Sequence, residues 1–94
     1  MKFEEFGQSL KQKKPPAQLP PLLKAMWYDA QQDWDKAHDI AQDIDNREGA
    51  WVHAYLHRKE GDAFNAGYWY RRADKPPFEG SLQQEWEQIV KALL

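Results

Sequence analysis

The chain contains no cysteine, so disulfides, thiolate metal ligands and cysteine nucleophiles are excluded. Threonine is also absent, and valine and isoleucine occur only at Ile40, Ile44, Val52, Ile89 and Val90. Strands draw on such β-branched residues, whereas Ala, Leu, Gln, Glu and Lys dominate here and favour helices. The expected fold class is all-α. Serine stands only at Ser9 and Ser81, and Ser81 reads as a helix cap, which leaves no good candidate for a serine triad. Gly7, Gly49, Gly61, Gly67 and Gly80 are scattered and form no phosphate-cradling loop. Nothing around carboxylate pairs such as Asp33 and Asp35 predicts a raised pKa. No catalytic residue is assigned, and hydrolase or transferase activity is a minor alternative.

Long apolar runs are missing too. None approaches the ~20 residues of a membrane span, and the start MKFEEFGQSLKQKK lacks the apolar stretch of a signal peptide. A soluble, cytoplasmic protein is expected. The net charge of −2 argues against strong binding to nucleic acid or an anionic membrane. The charge is uneven, however: Asp29 to Glu48 holds seven acidic side chains against Lys36 and Arg47, a local net charge of −5.

What is present is aromatic. Of 94 residues, 14% are Phe, Trp or Tyr, and a chain of this size buries only somewhat more than ~60% of its unfolded surface. A few large side chains must therefore supply the core. They concentrate between Arg47 and Ala73, where two helical patterns meet at Gly61-Asp62.

In order, Phe3, Phe6 and Leu10 recur at helical spacing in an N-terminal arm, residues 1–14, that closes on Lys11, Lys13 and Lys14. Pro15, Pro16, Pro20 and Pro21 enforce a connector over 15–21, and Pro21 suits the first turn of the next helix. That helix, to about Gln31, has apolar residues on both sides and is expected to be sandwiched. Asp33 is an N-cap candidate for a helix to about Asp45, with Trp34, Ala37, Ala41 and Ile44 inward and Asp35, Asp39 and Asp43 on a solvated face. The central helix, about Glu48 to Glu60, is apolar nearly all round and belongs mid-bundle. Gly61 ends it and Asp62 caps the next, where Ala63, Ala66, Tyr70 and Ala73 form a seam and Phe64 and Tyr68 face elsewhere. Ser81 with Gln84 is a capping-box pattern opening a final helix, 81–94, with Trp86, Ile89, Val90 and Leu93 on one face. That helix is expected to cover Phe64 and Tyr68.

Residues 22–75 thus read as two helical hairpins whose capping aspartates, Asp33 and Asp62, lie 29 residues apart. Their pattern resembles the tetratricopeptide repeat of ~34 residues. Ala54, Ala66, Tyr70, Ala73 and Pro76-Pro77 match the repeat in the second unit, and Ala25, Tyr28 and Ala37 in the first, whereas Ala41 and Ile44 depart from it. The resemblance covers about residues 20–77 and implies a bundle of about five to six helices. The chain is also similar to a group of small uncharacterised bacterial proteins with near-identical WYDA, DWDKAH, WVHAYLHRKEGD and YWYRRA stretches, which implies no catalytic residues.

The tetratricopeptide resemblance implies a concave groove for a peptide or protein partner, lined by Leu22, Met26, Asp29, Glu48, Trp51, Tyr55 and Arg58. Arg58 would clamp a carboxylate or phosphate, and Trp51 and Tyr55 would be flat apolar anchors. The competing expectation is that the N-terminal segment covers this groove. A second signal is His53, His57 and Glu60, spaced i, i+4, i+7 on one stripe that would face His38. Histidines so placed are expected to pack by hydrogen bonding, with a divalent metal or small anionic ligand as the alternative. Ala54 follows His53, so the HExxH pattern is absent. A further stripe, Asn65, Trp69 and Arg72, could hold phosphate or bases beside Arg71. Pairing with the acidic segment of the same or another molecule is the simpler expectation, and it allows a homodimer. No cofactor is expected beyond that metal alternative.

Overall fold

A computed structural model describes residues 1–94 and contains six helices and no strand: α1 (Phe3–Ser9), α2 (Pro21–Ala30), α3 (Trp34–Gln42), α4 (Arg47–Lys59), α5 (Ala63–Arg72) and α6 (Leu82–Leu93). The fold is all-α. Packing is closest between α4 and α5 and between α2 and α3, while α6 lies across α2 and α4. No helix is long and apolar enough to cross a membrane.

Both hairpins turn by the same backbone device. The N–H of Asp33 reaches the Tyr28 carbonyl and that of Gln32 reaches Asp29, while Asp62 reaches His57 and Gly61 reaches Arg58. These are the paired bonds of a Schellman ending, which places the residue after the C-cap in the left-handed region. Gly61 accepts this freely at φ 89°, but Gln32 holds φ 65° and Asp74, at the end of α5, holds φ 59°. Asp33 and Asp62 then cap α3 and α5 by accepting from Lys36 and Asn65 N–H.

α3 stops three residues short of the expected Asp45. The cause is the tight passage into α4: a Cβ on Gly49 would lie 2.1 Å from the Ile44 carbonyl oxygen. Gly49→Ala must therefore push two backbone segments apart. We expect it to cost about 1–3 kcal/mol, the range for overpacked interiors, read as a lowered urea midpoint at unchanged m-value.

α4 runs through the middle, with every residue from Gly49 to Leu56 buried. The N-terminal segment is docked: Phe6 is fully buried, Phe3 and Phe6 lie against Trp86, and Trp27 Nε1 donates to the Ser9 carbonyl. Lys11, Lys13 and Lys14 fall beyond α1 and are exposed, so they do not close its last turn. The final helix departs from expectation. Its stripe of Trp86, Ile89 and Val90 is buried over α2 and α4, and Phe64, 85% exposed, and Tyr68 remain at the surface.

Candidate functional site

The face expected as an open groove is filled. Leu22, Met26, Asp29, Trp51 and Tyr55 are all buried and only Glu48 stays exposed, because Trp86 of α6 seats on this face and donates Nε1 to the Met26 carbonyl. What remains is a recess of about 490 Å³ with Asp29 and Tyr55 among its walls. Asp29 is already engaged, by the Tyr55 hydroxyl at 2.7 Å and the Lys59 ammonium at 2.9 Å. Arg58 is engaged as well: its guanidinium pairs with Glu85 at 2.9 Å, donates to the Gly80 carbonyl, and lies over Phe78. Glu85, fully buried on α6, also accepts from Trp51 Nε1 at 3.2 Å and Tyr70 Oη at 2.6 Å. Burial first, and then these carboxylates, push the Tyr55 and Tyr70 phenols well above their usual range. Both stay protonated donors. The groove residues thus form a structural clamp joining α2, α4, α5 and α6.

The histidine stripe has a different surrounding. His53 and His57 lie one turn apart on α4, and His38 reaches them from the middle of α3. The three imidazole centroids are 4.6, 4.8 and 5.2 Å apart. Two indoles fix the ends: Trp34 stacks on His38 at 4.8 Å, and Trp69 stacks on His53 at 3.9 Å. Trp34 is itself anchored by Nε1 donating to the Leu56 carbonyl at 2.7 Å. His53 is only 6% exposed, yet the one side-chain hydrogen bond made by any of the three rings is His57 Nδ1 to Glu60 Oε1, at 2.6 Å. No buried side-chain nitrogen is left stranded from both protein and solvent, so the free ring nitrogens keep solvent access.

Potential ligand atoms of His38, His53 and His57 all lie within 4.8 Å of one another, as do those of His57, Glu60 and Asp62. The expected set of His53, His57 and Glu60 is therefore split. Glu60 turns back to His57, and the third partner of His53 is His38. The second grouping is the poorer donor set, because both Asp62 oxygens already accept from Asn65. Those two bonds hold the Asp62 carboxyl below its usual pKa. The stripe of Asn65, Trp69 and Arg72 divides similarly: Trp69 joins the imidazoles, while Arg72 pairs with Asp45 of the acidic segment at 3.3 Å.

Comparison with family models, with curated proteins and with solved structures finds no match. Burial, reinforced by the neighbouring imidazoles, lowers the His53 pKa to about 4. His38 is also lowered, by burial and then by His57, against the opposing carboxylates of Asp39, Glu60 and Asp35. These rings are neutral at pH 7, the form that offers a lone pair to a metal.

The same shifts make folding pH-dependent. In the unfolded chain a histidine binds a proton near the reference pKa of about 6.5, so between there and about 4 the unfolded state holds more protons than His53 does in the fold. Stability is then fully present above the unfolded value and lost as pH falls through that window. With chelator present, the urea midpoint is expected to drop between pH 7 and pH 5. His53→Leu flattens that dependence, and an equal drop in this variant would refute the assignment.

Proposed function

We propose that the protein binds one divalent transition-metal ion, zinc or a metal of similar imidazole affinity, through His38, His53 and His57. The observation that carries this reading is the convergence of three imidazoles from two helices, with two of the rings making no hydrogen bond inside the protein. In a tetrahedral site with Zn–N bonds of ~2.0–2.1 Å the nitrogens stand about 3.3 Å apart. The present spread, within 4.8 Å, would have to contract on binding.

Glu60 supports the reading as a positioning residue. By accepting from Nδ1 of His57 it leaves the Nε2 lone pair for the metal, the usual way a carboxylate orients a histidine ligand. Three protein ligands leave a fourth position for water or another small ligand, the arrangement of reactive rather than purely structural zinc sites. Titration calorimetry tests the proposal. One site per chain is expected, with affinity about 10–100-fold weaker in Glu60→Gln and lost in His53→Ala. Unchanged binding in His53→Ala would move the metal elsewhere.

A second reading, a surface for a protein partner, is favoured by the exposure of Phe64 and Tyr68 on α5. Arg71 and Arg72 adjoin them, and Asp35 and Asp39 on α3, with Asp43 at its C-cap, are exposed. The fitting partner is a second copy pairing its α3 with this α5. Native mass near twice 11.1 kDa, reverting in Phe64→Ser, would establish it, and a monomer at high concentration would dismiss it.

A further inference from the structure

A cavity of about 420 Å³ opens beside the histidines, with His53, Trp69, Arg72, Asp45, Asn46 and Arg47 among its lining residues. Three independent features give it an affinity for negative charge. The first is the start of α4, a helix of 13 residues. The Asn46 side chain accepts only from the Gly49 N–H, at 2.7 Å, so the N–H groups of Arg47 and Glu48 are left for another acceptor at the positive end of the helix dipole.

The second is the pair of guanidinium groups. Arg72 lies 5.4 Å over the Trp69 ring and its partner Asp45 is exposed, 3.3 Å away. Arg47 meets Asp74 only at 3.9 Å, with both side chains about three-quarters exposed. Such surface pairs contribute about 0–1 kcal/mol, so an oxyanion in the cavity competes with them readily. Asp45 is the single acid on the wall, against two arginines. The third feature is His53, nearly buried, without a hydrogen-bond partner, and shared between the cavity and the triad of imidazoles.

We infer that this cavity is an oxyanion subsite for a small carboxylate- or phosphate-bearing ligand, held by Arg72, Arg47 and the start of α4 within reach of the metal's open position. The inference rests on the metal reading only for that last contact. Binding there exchanges a coordinated water for an oxyanion oxygen, and no bond within the anion breaks. Trp69 adds a flat apolar wall for the body of such a ligand.

The test uses the full chain loaded with cobalt(II), whose visible absorption reports its coordination, titrated with inorganic phosphate and separately with acetate. A saturable spectral change is expected with one or both anions, the arms separating phosphate from carboxylate recognition. Arg72→Ala should weaken the apparent affinity about tenfold, the loss of one charge-assisted hydrogen bond, while Arg71→Ala titrates like the parent. Cobalt that binds but ignores both anions, or Arg72→Ala titrating like the parent, overturns the subsite and leaves the metal reading standing. If cobalt does not bind, the metal reading fails and amide NMR of the metal-free protein decides the subsite. Phosphate- or acetate-dependent shifts at Arg47, Glu48 and the Trp69 indole, diminished in Arg72→Ala, uphold anion binding, and their absence overturns it.

Discussion

Zinc in excess is expected to raise the thermal midpoint of the metal-free protein by ~10 °C or more. A ligand that binds only the folded chain, present at about 100 times its Kd, adds about 2.7 kcal/mol. In a domain of this size about 1 kcal/mol moves the midpoint by ~4–8 °C. The unfolded chain has the same three histidines, but it cannot hold His38 of α3 against His53 and His57 of α4 without forming the α3–α4 turn. Chelator should reverse the shift. Magnesium should give none, because it takes oxygen ligands in octahedral geometry and the site presents imidazole nitrogens. His53→Ala should fold and lose the response. An equal shift in that variant, or an equal shift with magnesium, would count against the triad.

The second large effect is expected at Glu85. Removing its carboxylate in Glu85→Ala takes the partner from Arg58, Tyr70 and Trp51 at once and opens a hole beneath α6. Breaking a buried pair from one side costs about 3–5 kcal/mol, against a total of about 5–15 kcal/mol for an ordinary domain. Much of the chain should then be unfolded or readily unfolded at 37 °C, measured by loss of the cooperative transition in circular dichroism. Glu85→Gln keeps an acceptor for Tyr70 or Trp51 and should cost less. If Glu85→Ala melted within a degree or two of the parent, the buried clamp would not be holding α6 in place.

These two sites show how differently residues announce themselves in sequence. The all-α fold, both hairpins and the caps at Asp33, Asp62 and Ser81 follow from local chemistry, since a cap needs only its own next turn. Gly61 marks a left-handed ending visibly, but Gln32 and Asp74 adopt the same conformation without glycine and carry no such mark. The early end of α3 depends on Ile44 meeting Gly49 across a turn, which helical periodicity does not encode. Glu85 reads as polar when counted alone. It falls four residues before Ile89, on the buried face of α6, and that register was the available signal.

The site was half legible. Helical spacing brought His53 and His57 together and put His38 opposite them, but it also made Glu60 a ligand by extending the stripe past the end of α4. At the C-cap the glutamate folds back onto His57, and only the packing of α3 on α4 supplies the third imidazole. The groove residues failed for a tertiary reason as well. Trp51, Tyr55 and Arg58 do share one side of α4, and α6 and its buried carboxylate occupy that side. The tetratricopeptide resemblance provided no sign of this, because its implied groove assumes a face left open.

The proposed metal ligation by His38, His53 and His57 is open to direct measurement. Its most direct test is elemental analysis of the protein prepared without chelator or a metal-binding tag, dialysed against trace zinc and run beside the His38→Ala and His53→Ala variants. About one zinc per chain is expected in the parent and markedly less in both variants. Parent protein that emerges metal-free, or variants that retain the same content, would contradict it and leave the three imidazoles as packing between Trp34 and Trp69.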